Sequence, residues 1–167
     1  MENKTFRVTS DLWATQGQRF GNYIIDLVIQ YALLFLFGVL LAVIATAIGN
    51  TDILEWLGNI PTIQSYAIGY LVMLLYYAST EIFLSRSIAK YITQTVVVDQ
   101  FGEKPDSSTI AKRTLCRMIP FNHFSFLGGG ARGWHDSISD TYVVQKKVFE
   151  EKKRLFYSFD EIGQREE

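Results

Sequence analysis

Cysteine and histidine are scarce in this chain, and their scarcity excludes several classes of function. The single cysteine, Cys116, excludes an intramolecular disulfide and leaves no partner thiolates for a zinc site. The two histidines come with no nucleophile constellation, so we expect no enzyme, no metal and no other cofactor. The net charge of −1 gives no indication of a nucleic-acid partner, and we expect none.

Charge is almost absent from two long stretches. The first, residues 23–48, contains Asp26 and Gln30 as its only strongly polar side chains before its last turn. The second, residues 66–84, has no charge until Glu81. A hydrocarbon core ~30 Å thick is crossed by roughly 20 apolar residues, so both stretches are long enough to span a bilayer. The alternative, two buried helices of a soluble core, is disfavoured because runs this long are uncommon in so small a chain.

Basic residues are missing from the connector between these stretches, residues 49–65, whose only charged residues are Asp52 and Glu55. Three of the sixteen Lys and Arg residues precede the first span, and the other thirteen follow the second. By the positive-inside rule we expect a multi-pass protein of the cytoplasmic (inner) membrane, with both termini in the cytoplasm. We place the spans at about residues 20–48 and 66–84.

The region after the second span contains a predicted amphipathic helix. The helix covers about residues 107–119: Asp106, Ser107 and Ser108 are candidate N-caps, and Pro120 ends it. One face of this helix carries Lys112, Arg113 and Arg117, and the opposite face is apolar. We expect a basic amphipathic helix at this place to lie against the membrane surface or the helix bundle, where its basic face suits anionic lipid.

Two short β-branched segments, residues 93–98 and 141–144, predict strands that pair as a short β-hairpin. Residues 121–134 are rich in aromatic side chains and glycine; they are too short for an ordinary third span but compatible with a re-entrant segment. The predicted fold class is therefore an all-α membrane protein with two transmembrane helices, a cytoplasmic amphipathic helix and this small hairpin.

Composition divides the chain into three parts. Residues 1–18 form a polar cytoplasmic lead-in, and residues 19–145 form the membrane domain. Residues 146–167 are a dense mixture of both charges, which predicts a solvated, charged cytoplasmic tail. Such a tail is a candidate docking segment for a cytoplasmic protein partner.

The first span carries a polar stripe on one side. Arg19, Asn22, Asp26 and Gln30 fall within about 80° of one another at ~100° per residue. A carboxylate inside a membrane-spanning helix normally faces protein or water and is a functional-site candidate. Asp26 is therefore the first residue of interest for function.

This stripe and a downstream His-Asp motif resemble the RDD family of small membrane proteins, named for one arginine and two aspartates. The arginine is Arg19 in a Gln-Arg-Phe-Gly-Asn segment, and the first aspartate is Asp26. The second is Asp136 in Trp-His-Asp, which precedes a Thr-Tyr-Val-Val strand. The resemblance covers roughly residues 12–145, and Ala89 departs from it where a glycine is expected. Between the motifs, the matching features are Glu81, Ser87 to Lys90, Val97 to Asp99 with Gly102, and the helix from Arg113 through Arg117 to Pro120.

The resemblance implies a role in transport, since some members of the family are linked to sodium–proton exchange. On that interpretation Asp26 binds a proton and a cation alternately. Two spans per chain cannot enclose a pathway, so a transporter of this kind must be a homo-oligomer. The polar centre would be Arg19, Asp26 and Asp136, with Asn22, Gln30, Glu81, Arg113 and Arg117 as secondary candidates.

The alternative is a non-transporting membrane scaffold or assembly partner in which the same residues are structural. Asp26 would then be neutralised by Arg113 or Arg117, and Asp136 by Arg19. Removing one partner of a buried ion pair costs about 3–5 kcal/mol, so these residues would matter for folding alone. A water-accessible Asp26 favours transport, whereas a dry, ion-paired Asp26 favours the structural role.

Overall fold

The structure is a computed structural model that describes residues 5–127 and 132–165, and it is mostly helical. The glycine run at 128–130, in the predicted re-entrant segment, lies outside the described residues. The elements of the described part are α1 (Gln16–Ala47), α2 (Thr51–Gly58), α3 (Thr62–Leu84), α4 (Ile88–Ile92), β1 (Thr95–Val98), α5 (Ser107–Cys116), α6 (Trp134–Ile138), β2 (Tyr142–Gln145) and α7 (Lys146–Arg165), with 3₁₀ turns at Ser10–Leu12 and Asn122–Leu127.

The first apolar stretch lies in α1, which is longer than a bilayer core is thick. Its start is fixed by a capping box, in which the Thr15 hydroxyl accepts from the backbone N–H of Gln18 and the Gln18 side chain accepts from that of Thr15. At 1.5 Å per residue, its 32 residues extend about 48 Å against a hydrocarbon core of ~30 Å. The N-terminal turns, which carry the polar stripe, therefore have room to project beyond the hydrocarbon.

The second apolar stretch lies in α3, and the connector before it contains a helix, α2, that the sequence analysis missed. The Asn50 side chain caps α2 by accepting from the backbone N–H of Ile53 at 3.0 Å. Trp56 Nε1 donates to Gln64 Oε1 at 3.0 Å and ties α2 to the start of α3. The other end of α3 is set by Ser85, whose left-handed φ of 57° turns the chain out of the helix.

The apolar faces of α1 and α3 point outward. None of the most hydrophobic 18-residue window of α1 is buried, and only 22% of that of α3. Phe35 in α1 is 70% exposed, as a lipid-facing side chain would be. A core helix of a soluble protein buries such a face, so the soluble alternative does not fit. The chain has two candidate membrane-spanning helices, as the sequence predicts.

The two predicted strands pair antiparallel, with Thr95 opposite Gln145 and Val98 opposite Tyr142. Residues 99–141 connect them, so the pair is a two-stranded sheet closed by a long excursion and not a tight hairpin. An isolated bridge between Trp13 and Val144 adds the lead-in segment to the edge of the sheet.

The sheet separates two small hydrophobic clusters, because successive strand residues point to opposite faces. On one face Val98 and Val144 pack with Phe6, Leu12 and Phe149. The other cluster consists of Ala14, Val97, Ile110 and Val143, with Ile82 packed against it. The sheet thus joins the lead-in segment and α7 on one side to α3 and α5 on the other.

The orientation of α5 is the reverse of the predicted one. Arg113 is fully buried and Arg117 is 6% exposed, whereas Leu115 is 59% exposed. Two of the three bases on the expected basic face are therefore turned inward, and Lys112 remains exposed. The arrangement follows from the buried carboxylates opposite α5, which require cationic partners. The helix also ends at Cys116, three residues before the predicted end.

The first half of α7 packs on the rest of the fold. Phe149 is buried and meets the Phe6 ring edge-on, with centroids 5.9 Å apart. Lys152 Nζ lies 2.7 Å from Asp11 Oδ2, and Lys153 Nζ lies 2.9 Å from Glu103 Oε1. The predicted charged tail thus begins as a helix with one face against the lead-in segment.

We expect Gly102→Ala to destabilise the protein by about 1–3 kcal/mol. Gly102 has a φ of +72°, and a Cβ there would lie 2.8 Å from a Phe149 ring atom. The measurement is thermal unfolding in detergent. Gly38→Ala is the matched control, because a Cβ at that helical position meets nothing within 4 Å. Equal melting temperatures for Gly102→Ala and the control would contradict the expectation.

Candidate functional site

Eight ionisable side chains meet in the buried region where α1, α3, α4, α5 and α6 converge. All of them are less than 10% exposed, although charged residues are rarely buried without partners. We call this group the charge cluster. It consists of Arg19, Asp26, Glu81, Lys90, Arg113, Arg117, His135 and Asp136.

Asp136 is held by two guanidinium groups. Arg19 Nη1 lies 2.5 Å from Oδ2, and Arg113 donates from Nη2 and Nε to Oδ1 at 2.5 and 3.2 Å. The backbone N–H of Gly133 also donates to Oδ2 at 3.2 Å. Burial opposes ionisation, but the guanidinium groups of Arg19 and Arg113 hold the pKa of Asp136 well below its ordinary 3.8. The predicted contact between Asp136 and Arg19 is therefore present.

Glu81, at the end of α3, is held by three cations. Arg113 Nη1 donates to Oε2 at 2.6 Å. Lys90 Nζ and Arg117 Nη2 donate to Oε1 at 2.6 and 3.0 Å. Arg117 also stacks on the Tyr77 ring at 3.8 Å. Arg113 therefore bridges the two carboxylates Glu81 and Asp136, and it connects α3 with α6.

Asp26 differs from the other two carboxylates because its hydrogen-bond donors are neutral. The Tyr76 hydroxyl donates to Oδ1 at 2.6 Å, the Ser87 hydroxyl donates to Oδ2 at 2.7 Å, and the backbone N–H of Ala89 donates to Oδ1 at 3.2 Å. The four cations of the charge cluster are ion-paired with Glu81 or Asp136 instead. The expectation that Arg113 or Arg117 neutralises Asp26 by direct contact is wrong, because both donate to Glu81 instead.

The remaining members of the predicted stripe have different surroundings. Asn22 is buried, donates to the Thr95 hydroxyl at 3.2 Å and accepts from the Thr93 hydroxyl at 2.5 Å. These bonds join α1 to the start of β1. Gln30 is half-buried and lines an apolar cavity between α1, α2 and α3. The structure therefore brings Arg19, Asn22 and Asp26 to the charge cluster and leaves Gln30 outside it.

His135 is buried beside Asp136 but is oriented by Asn122. Its Nδ1 lies 3.1 Å from Asn122 Oδ1, which can only accept, so Nδ1 carries the proton. Nε2 lies 3.5 Å from Asp136 Oδ1. Burial lowers the pKa of His135 well below its ordinary 6.5, although the Asp136 carboxylate opposes this shift. The side chain is therefore a neutral imidazole within the cluster.

A cavity of about 40 Å³ lies inside the charge cluster, and Arg19, Asp26, Lys90, Arg117 and His135 are among the residues that line it. A polar cavity needs roughly 10–15 Å³ of this kind of volume to hold a water molecule, so there is room for water or a small ion. Within the described residues, no three acidic, His or Cys side chains converge as a metal-ligand set.

A model of the RDD family matches residues 13–140 of the chain. The chain belongs to the RDD family. No curated protein and no solved structure gives a match. In this RDD protein, the arginine and the second aspartate of the predicted polar centre contact each other directly. The first aspartate, Asp26, lines the same cavity as Arg19 and is held by neutral donors.

Sequence reasoning on this RDD protein missed several residues of the site. Ser87 and Lys90 lie in a segment that resembles the family, but nothing in that segment indicates that Ser87 contacts Asp26. Tyr76 lies in an apolar run whose tyrosines suit a membrane interface, and nothing there indicates a hydrogen bond to Asp26. The pairing of His135 with Asn122 had no signal, because 13 residues separate them in a region without clear periodicity.

We expect Arg113→Met to destabilise the RDD protein by about 3–5 kcal/mol, because two buried carboxylates would lose a shared partner. Chemical denaturation in detergent measures the free energy of unfolding. Lys112→Met is the matched control: the same change is made one residue earlier, at an exposed side chain, and should have little effect. Similar losses in the two variants would show that Arg113 is not a structural bridge.

We also expect His135 to make stability fall in acid. The unfolded chain takes up a proton near pH ~6.5, whereas burial lowers the folded-state pKa of His135. The stabilisation is therefore present above that pH and is lost as the pH falls below it, at up to about 1.4 kcal/mol per pH unit.

The measurement is the free energy of unfolding between pH 7.5 and 5, compared with that of His135→Asn, which keeps a donor near the Nδ1 position. The variant should have a flatter pH dependence across this interval. Parallel curves for the parent and the variant would mean that the pKa of His135 is not lowered in the folded protein.

Proposed function

We propose that this RDD protein is a transport component of the cytoplasmic membrane that acts as a homo-oligomer, with Asp26 as its proton- or cation-binding group. The observation that supports this is the contrast among the three buried carboxylates. Glu81 and Asp136 are each fixed by cations, whereas Asp26 is held by neutral donors and lines a polar cavity.

A carboxylate held by hydroxyl groups can exchange its proton with little rearrangement. A hydroxyl is both donor and acceptor and rotates to suit its partner. If Asp26 takes up a proton, the Ser87 or Tyr76 hydroxyl can turn from donor to acceptor and keep a hydrogen bond to the carboxyl group. Arginine has no hydrogen-bond acceptor, so the arginines around Asp136 and Glu81 could not accept a bond from either carboxyl group if it took up a proton. Asp26 is therefore the best candidate for alternate binding of a proton and a cation.

The oligomer is part of the proposal because one chain does not enclose a route across the bilayer. An apolar cavity of about 580 Å³ lies between α1, α2 and α3, with Leu34, Phe37 and Met73 among its lining residues. Its apolar lining offers no path for an ion. A conduction route would have to form between α1 and α3 of different copies, with the charge cluster at one end.

The orientation that we propose places the charge cluster on the cytoplasmic side. The connector that contains α2 has no Lys or Arg, whereas thirteen of the sixteen basic residues follow α3. The positive-inside rule then puts both termini and the sheet in the cytoplasm. A site for proton uptake from the cytoplasm would lie at the inner end of the helix pair.

A second candidate function is a non-transporting membrane scaffold, and a specific observation favours it. Arg19 and Arg113 form close ion pairs with Asp136, and each oxygen of that carboxylate accepts a hydrogen bond from an arginine. Such pairs hold α1, α5 and α6 together without any need for chemistry. Under this alternative the exposed charges of α7 would provide the docking face for a cytoplasmic protein.

The deciding experiment is sodium-dependent proton flux in proteoliposomes containing the parent protein, Asp26→Asn or Asp52→Asn. Asp52 is exposed in α2, so Asp52→Asn controls for the loss of one carboxylate charge. We expect flux in the parent and in Asp52→Asn but at least a tenfold loss in Asp26→Asn, a barrier change of about 1.4 kcal/mol or more. Circular dichroism and thermal unfolding verify that each variant is folded.

Absence of flux from a folded parent protein would overturn transport of these ions and favour the scaffold. Equal flux in a folded Asp26→Asn variant would leave transport in place but remove Asp26 from the proton-binding role. Loss of stability in Asp26→Asn, together with an inactive parent, would identify Asp26 as a structural residue.

A further inference from the structure

The charge cluster contains more positive than negative groups. Four cations, Arg19, Lys90, Arg113 and Arg117, face three carboxylates, Asp26, Glu81 and Asp136. Lys90 counts as protonated because its Nζ lies 2.6 Å from Glu81. His135 is a neutral imidazole with its proton on Nδ1. The cluster thus carries one uncompensated positive charge, and an isolated buried charge is costly unless something pairs with it.

Two of these cations also have hydrogen-bond donors without a partner. The Nε–H groups of Arg19 and Arg117 are buried and donate to no described group. Both side chains are 6% exposed, and both line the 40 Å³ cavity. A buried donor left unsatisfied costs free energy, so native proteins usually supply an acceptor. The missing partner at this place is therefore an acceptor.

The cavity has room for a small acceptor. Its volume of about 40 Å³ is a few times the roughly 10–15 Å³ that one water molecule needs. A monatomic anion fits in a space of this size. Asp26 also lines the cavity and would repel an anion, but both of its oxygens accept bonds from Tyr76, Ser87 and Ala89. Neutral water would satisfy the donors without compensating the charge.

We propose that the cavity between Arg19 and Arg117 binds a small monovalent anion of the size of chloride. The anion accepts hydrogen bonds from the arginine side chains and balances the extra positive charge of the cluster. This inference goes beyond the proposed transport of protons or cations. It depends on the charges and donors of the cluster, so the outcome of the flux experiment leaves it unchanged.

The first test is direct binding of chloride to the full chain in detergent. The line width of the chloride NMR signal is measured at a fixed protein concentration while the chloride concentration is varied. Gluconate replaces chloride, so that the sodium concentration stays constant. We expect saturable broadening that bromide reverses by competition. Chloride should also raise the thermal unfolding temperature relative to gluconate, because a ligand that binds only the folded state stabilises it. Broadening that does not saturate, or that heat-unfolded protein produces equally, would overturn the proposal.

The second test uses Arg117→Lys, which keeps the charge but removes the Nε donor, and Arg117→Gln, which removes both. We expect chloride affinity to fall in Arg117→Lys and to fall further, about tenfold or more, in Arg117→Gln. Arg86→Gln is the matched control. Arg86 also has an unpartnered Nε and stacks on a tyrosine ring at 3.8 Å, but it does not line the cavity.

Unchanged chloride affinity in a folded Arg117→Lys variant would contradict the proposed donor, and equal losses in the Arg86 and Arg117 variants would contradict the proposed place. If Arg117→Gln does not fold, Arg117→Lys and the competition experiment on the parent still decide the question.

Discussion

The fold depends on the requirement that charges removed from water be paired. Arg113 is fully buried, and its guanidinium donates to Glu81 from one side and to Asp136 from the other. Arg19 reaches the same Asp136 from the first candidate span. One connected set of ion pairs thus fixes α1, α3, α5 and α6 relative to one another. The apolar clusters around the two-stranded sheet are too small to do this alone.

The contacts that hold α1 and α3 together are concentrated at one end of the pair, an arrangement that suits helices in a bilayer. Apolar side chains gain little by leaving lipid for one another, so α1 and α3 have no hydrophobic drive to associate along their length. An apolar cavity lies between them, with Phe37 and Met73 in its lining. The ion pairs, together with the Tyr76–Asp26 hydrogen bond, hold the N-terminal end of α1 to the C-terminal end of α3. The other halves of the two helices remain available to lipid or to other copies.

Much of the fold could be predicted from local patterns. Runs of apolar residues predict α1 and α3, and β-branched segments predict both strands and their pairing. The contact between Arg19 and Asp136 followed from the family resemblance and the need to neutralise charge. Local sequence does not show which partner a charged side chain will have. Arg113 and Arg117 would suit a lipid surface as well as a buried carboxylate. Their burial depends on carboxylates brought opposite α5 by distant parts of the chain, which no periodicity reveals. The same reason explains why the neutral donors around Asp26 were missed.

The ion pair between Arg19 and Asp136 joins residues 117 positions apart, and this separation has a consequence for biosynthesis. The ribosome completes both apolar helices well before it reaches α6. During that interval Arg19 and Glu81 have no Asp136 or Arg113 to neutralise them and need water or another partner. Synthesis of the two apolar helices and closure of the charge cluster are therefore separate events in time. The part of the chain that is made late completes the ion pairs that hold the two helices in a defined arrangement.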